Sequence, residues 1–144
     1  MKARIATGLG AVLLLLSTAI AEEGASDSSH SRARILFRLH CASCHGATAE
    51  GDGALAKSLK VRPPDLTKIA KRNKGFRRDE IRQIIDGRTE VDTHGTRYMP
   101  VWGLSLRDPG RMDDQETEIA DQIAALVDYL LSIQNPPVEA EDPS

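Results

Sequence analysis

The feature that most restricts this 144-residue chain is its use of cysteine: it has two, Cys41 and Cys44, and His45 follows the second at once. Cysteines kept for a structural disulfide usually join distant segments of an exported protein and restrain a long loop. A Cys41–Cys44 bridge closes almost no loop, so these thiols serve another purpose.

The N-terminus bears on the compartment. Lys2 and Arg4 precede an apolar run from Leu9 to Ile20, and Ala19-Ile20-Ala21 is a small-residue cleavage site before Glu22. This is the layout of a secretory signal peptide over residues 1–21, and the run is short for a membrane span. An uncleaved anchor, with the polar stretch from Glu22 to His30 as a tether, is the competing reading. The expected location is the periplasm. Removal of 21 of the 144 residues leaves 123, enough for one domain. Lys2 and Arg4 leave with the signal and take the formal charge from −2 to −4, a balance that argues against nucleic-acid binding. Aromatic residues make up only 3% and Trp102 is the sole tryptophan, so a core this thin calls for a staple or a cofactor.

The periodicity is helical. Residues 22–30 read as a flexible Ser-, Glu- and Asp-rich leader. From an N-cap at Ser31, Ala33, Leu36, Phe37 and His40 recur at i, i+3, i+4 and i+7. Gly51-Asp52-Gly53 and Pro63-Pro64 are turn signals around a short possible helix at Ala54 to Lys60, and a brief one follows at Leu66 to Arg72. Arg78 to Asp86 is a better helix, with Ile81, Ile84 and Ile85 on one face and Gly87 as its stop. Arg88 to Arg111 reads as loop. Asp113 and Glu116 then suggest a capping box before Ile119, Ile123, Leu126, Leu130 and Ile133, and Asn135-Pro136-Pro137 ends the helix. Residues 135–144 form an acidic tail expected to be disordered. No strand alternation is visible, and the expected fold class is all-α.

Cys41-Ala42-Ser43-Cys44-His45 matches C-x-x-C-H, the signature of covalent haem attachment. Two thiols on one turn can add to the two vinyl groups along a porphyrin edge, and the adjacent imidazole then lies beneath the ring to bind iron. Zinc would need a fourth ligand and a second cysteine pair, which the chain lacks. A thioredoxin-like redox pair would need a βαβ context that the helical pattern denies.

With these residues in view, the chain resembles the class I c-type cytochromes over about residues 31–134. Ala33 and Phe37, four apart and four before Cys41, match the small and aromatic positions of that family's N-terminal helix. Leu126 and Tyr129 match the pair they face on its C-terminal helix. The resemblance implies one covalent haem c with its iron, crossed terminal helices, and His45 as one axial ligand. It also implies that a proline carbonyl in Pro64-Asp65-Leu66 accepts a hydrogen bond from that histidine, which raises its basicity; Pro63 is the alternative. Tyr98-Met99-Pro100-Val101-Trp102-Gly103 resembles the family's methionine loop and makes Met99 the second axial ligand. Met99 as a core filler and His94 as the ligand are the competing readings. Met112, His30 and His40 lack comparable context. By the same resemblance, Arg88 and Trp102 are candidates to contact haem propionates.

The implied function is periplasmic electron transfer by one haem cycling Fe(III)/Fe(II), without substrate chemistry of its own. Two other classes remain: a haem subunit of a dehydrogenase or oxidase complex, and a gas-sensing or peroxidase-like protein, which requires an open sixth position. The implied partners are a redox donor and acceptor. Lys57 to Arg78 holds nine basic residues against Asp65, whereas ten acidic residues follow from Asp108 against Arg111. That asymmetry suits docking through a basic face, with an ordinary solvated surface as the plain alternative.

Overall fold

The computed structural model describes residues 19–88 and 99–138, with side chains from Ser28 onward. The expected signal peptide up to residue 18, His94, Tyr98 and the tail beyond Val138 lie outside the described residues. The elements in order are α1 (Ala19–His40), α2 (Ala42–His45), a 3-10 turn (Ala56–Ser58), a second (Leu66–Lys68), α3 (Ile69–Asn73), α4 (Arg78–Asp86), α5 (Trp102–Ser105) and α6 (Glu116–Ser132). There is no strand among the described residues, and the fold is all-α. No helix among them is long and apolar enough to cross a membrane.

The frame is the crossing of α1 with α6. Ala33 and Phe37 are buried on α1, and Ile119, Ile123, Leu126, Val127, Tyr129 and Leu130 are buried on α6. Their spacing on each helix makes a continuous apolar stripe. Ala33 leaves room for the helices to approach closely, and the Phe37 ring meets Tyr129 at 5.2 Å and a 47° tilt. At 17 residues α6 is about 26 Å long.

Smaller elements fill in around this pair. Ile81 and Ile85 bury α4, with Ile84 half-buried, and Gly87 ends it in the left-handed region at φ 69°. In the 54–60 segment only the 3-10 turn forms, because Ala56 alone is buried while Leu55 and Leu59 face out. The helix expected at Leu66 to Arg72 is split: Asp65 accepts from Thr67 N–H to cap the 3-10 turn, and α3 follows. Among its described residues, the 88–111 loop contains one helical turn, α5.

Two expectations at helix starts are corrected. Helix α1 covers Ala19–His40, so Ser31 is an interior residue and not an N-cap, and the leader residues 22–30 lie within the same helix. No proline interrupts that stretch, and its Ala and Glu residues are good helix formers. At α6 the capping box does not form. Asp114 accepts the Glu116 N–H at 3.0 Å, Asp113 pairs with Arg111, and the Glu116 carboxylate turns to Arg88 and Arg107. Charged partners compete better for those carboxylates than a backbone N–H does.

Phe37→Ala should lower the unfolding free energy by about 3–5 kcal/mol, as for other large-to-small core changes. Ile35→Ala, at a side chain 57% exposed, should change it by less than about 0.5 kcal/mol. Urea unfolding of the two variants checks the contrast.

Candidate functional site

The cysteine motif is positioned by the end of α1. Cys41 N–H donates to the Phe37 carbonyl at 2.8 Å, and the chain then makes one further turn, with His45 N–H to Cys41 C=O at 2.8 Å. Cys41, Cys44 and His45 therefore occupy one turn that is continuous in hydrogen bonding with the helix Phe37 anchors. Both thiols are free and half-buried. Burial, and then the neighbouring Cys44, push the Cys41 thiol up to about 11. A thiol that holds its proton so firmly is the opposite of the low-pKa thiolate in a dithiol redox site.

A tight loop wraps under the motif. Gly51 N–H donates to the His45 carbonyl at 2.8 Å, Gly53 N–H to Cys44 C=O at 3.2 Å, and Leu55 N–H to Ser43 C=O at 2.9 Å. Gly51 has φ +78°, and a Cβ there would stand 2.4 Å from the Pro63 carbonyl oxygen. At Gly53 a Cβ would come within 2.5 Å of the Ser43 carbonyl oxygen and 2.6 Å of the Cys44 backbone. Both positions exclude any side chain.

His45 lies between this loop and the proline segment. Burial lowers its pKa, and the Pro64 carbonyl pushes the other way. Its Nδ1 is buried and makes no hydrogen bond of normal geometry, although that carbonyl lies close enough to favour the protonated ring. The Pro63 carbonyl is turned to Gly51 instead. The result is a neutral imidazole, the form that binds a metal. A buried polar atom without a formed partner is uncommon and marks a place held for function.

Met99 is half-buried against the core, next to the turn that starts at Trp102. The Trp102 ring packs edge-on against His40 at 5.4 Å, and His30 packs against Tyr129 at 5.8 Å, so both histidines are occupied by aromatic contacts. Met112 is 99% exposed.

Arg88 lies in an ion-pair network. It is a candidate for a propionate contact, and its Nε and Nη2 hold Asp86 at 2.8 Å each and its Nη1 holds Glu116 at 2.5 Å. Arg107 completes the group on Glu116. Gly103 of α5 rests directly on this pair, since a Cβ there would stand 2.5 Å from both Arg88 Nε and Asp86 Oδ1. The network thus ties the end of α4 and the start of α6 to the segment that follows Met99.

Two buried amides escaped the sequence reading. Gln115 pairs with both backbone groups of Asp108, and Gln134 bonds to Ala70, Leu66 and Leu130. Neither lies in a local pattern that distinguishes it from a surface glutamine.

Taken together, the residues fit a haem. Two free thiols flank a neutral imidazole, a thioether lies half-buried in the core, and Leu55, Leu59, Val61 and Leu104 leave large apolar surfaces uncovered. Among the described residues no three His, Cys, Asp or Glu side chains converge to hold a metal ion unaided. An iron that arrives with four porphyrin nitrogens needs only one or two protein ligands.

The carboxylates of the Arg88 network give a pH prediction. Asp86 is held below the usual carboxylate range by its hydrogen bonds from Arg88, against a smaller opposing effect of burial, and Glu116 is held down chiefly by Arg88. A depressed folded pKa means stability present above the unfolded value and lost as pH falls through the folded one. The unfolding midpoint should fall as pH drops below about 4, and Arg88→Leu should flatten that slope while leaving the haem spectrum intact. Thermal melts across that range check it.

Comparison with known protein families agrees with this geometry: the family described as Cytochrome c matches residues 31–134. No curated protein and no solved structure matches the chain. Members of the matched family carry covalently bound haem c with its iron and transfer electrons between redox partners. With the match spanning α6 and the motif alike, the chain belongs to the Cytochrome c family.

Proposed function

We propose that the protein is a periplasmic electron carrier whose single haem is joined to Cys41 and Cys44 and ligated by His45 and Met99. The observation that carries this reading is the His45 imidazole, its Nδ1 buried and its pKa lowered, on the same turn as two free thiols. The haem iron, when bound, supplies the one-electron Fe(III)/Fe(II) couple. Cys41 and Cys44 would hold the haem, each as a thioether to a vinyl group with the thiol proton passing to a vinyl carbon, so no oxidant would be needed. His45 would offer Nε2 to the metal, and a hydrogen bond from its Nδ1–H to the nearby Pro64 carbonyl would increase the electron density on the ring. Met99 would supply a thioether as the second protein ligand to the iron. His/Met ligation raises the reduction potential and leaves no open position for a substrate or gas. These residues therefore suit outer-sphere electron transfer.

The same reading favours docking beside the motif. Lys57, Lys60 and Arg62 lie on the segment that Leu55 ties to Ser43 and Gly53 ties to Cys44. Lys57, Lys60, Lys71 and Lys74 make no ion pair among the described residues, whereas Arg77, Arg78, Arg82, Arg88, Arg107 and Arg111 all pair with acids. Unpaired Lys57 and Lys60, on one segment with exposed Leu55, Leu59 and Val61, suit an acidic partner with an apolar centre.

Absorption spectra of the matured protein test the site. The wild type should carry covalent haem whose oxidised form shows the weak sulfur–iron charge-transfer band, and Met99→Ala should lose that band while keeping the haem. Covalent haem without the band in either protein would remove Met99 as ligand and favour a sensor or peroxidase-like role. Stopped-flow oxidation of the reduced protein by ferricyanide tests the docking face. The formal charge of the mature chain predicts acceleration with salt. A basic face at the haem edge predicts slowing, by about tenfold between low and physiological ionic strength.

A further inference from the structure

The segment that carries Pro64 is held from the far end of the chain. Gln134, just beyond α6, is 4% exposed and its amide is fully engaged. Its Oε1 accepts from Ala70 N–H at 3.0 Å, and its Nε2 donates to the Leu66 carbonyl at 2.9 Å and the Leu130 carbonyl at 2.7 Å. Beside it, Asn135 N–H donates to Thr67 C=O at 2.9 Å, and Lys68 Nζ donates to Asn135 C=O at 2.9 Å. Residues 66–70 are thus fastened to residues 134 and 135 at Leu66, Thr67, Lys68 and Ala70.

Little slack lies between this clamp and Pro64. The Asp65 carboxylate accepts from both the backbone N–H and the hydroxyl of Thr67, and Arg72 Nη1 donates to the Asp65 carbonyl at 2.6 Å. The Pro64 ring fixes its own φ. From the other side, Leu66 N–H donates to Ala49 C=O at 2.8 Å, and the Gly51 backbone, pressed against Pro63, donates to His45 C=O. The two sets of bonds hold the proline segment between the loop under His45 and the end of α6.

We propose that Gln134 is a positioning residue for His45: by clamping residues 66–70 it holds the Pro64 carbonyl at the His45 Nδ1 and so sets how strongly the imidazole donates to iron. The proposal rests on His45 being the ligand, as argued above. A carbonyl that takes the Nδ1–H makes the ring a better donor and favours Fe(III), so loosening it favours Fe(II). A buried amide with three bonds is costly to leave half-made, and this gives the clamp its stiffness.

The test is Gln134→Met in the haem-loaded protein, read by reduction potential, optical spectrum and melting temperature. The expected result is covalent haem with an unchanged sulfur–iron band, and an equilibrium shifted toward Fe(II) by about tenfold, or about 59 mV upward for a one-electron couple. An unchanged potential with a lowered melting temperature would mean that Gln134 only stabilises the fold, and would overturn the proposal. Wild-type protein without the spectrum of a histidine-ligated low-spin haem would overturn the ligand reading itself, a failure visible before any substitution is made. If Gln134→Met does not accumulate as folded protein, hydrogen exchange in the wild type decides. Ala70 N–H and His45 Nδ1–H should open together with one denaturant dependence. Exchange at His45 Nδ1 while Ala70 stays protected would sink the clamp.

Discussion

The contact between Phe37 and the α6 residues around Tyr129 is the constraint on which the site depends. Phe37 is fully buried and its own carbonyl accepts the Cys41 N–H, so the packing that fixes its side chain also fixes the direction in which the helix delivers the motif. A helix rotates by 100° per residue, and a slip of one position at Phe37 would turn both thiols and His45 away from the core. Packing at one end of a turn thereby becomes geometry at the other. Ala33, one turn earlier, makes the approach possible by lacking bulk.

The remaining elements are too short to stand alone. α2 and α5 have four residues each and α3 has five, well below what an isolated helix needs in water. They are kept in place by side chains that reach across the chain: Gln134 to the 66–70 segment, Arg88 to Glu116, and Gln115 to Asp108. Few large aromatic side chains are available to do this by burial, and polar reach takes their place. The family's covalent haem adds the apolar surface that such a chain lacks.

What was legible in the sequence follows from how local each signal is. C-x-x-C-H, the i, i+4 pair Ala33 and Phe37, the isoleucines of α4 and the Gly87 stop are all contained within a turn or two, and the structure places each as its spacing implies. The all-α class followed from the same periodicity. The α6 start was misread because Asp113 and Glu116 have the spacing of a capping box, yet neighbouring Arg111 claims the first carboxylate and Arg88 and Arg107 claim the second. Gln134 was invisible because its partners are 64 and 68 residues away, and no local pattern separates a buried glutamine from a solvated one. The early start of α1 had no stop signal against it, and polar composition alone had suggested a loop. Local codes were readable, whereas competition between distant partners was not.

Gly53 shows how far the demands of the motif extend beyond its own letters. It supplies no thiol, no imidazole and no charge, yet its Cα sits so close to the Cys44 backbone that the smallest side chain would have to displace it. Every missense change at this codon adds at least one carbon. In a random-mutagenesis screen for colonies that fail to turn red, Gly53 would therefore appear beside Cys41, Cys44 and His45, with a genetic signature as sharp as that of a residue that touches the metal.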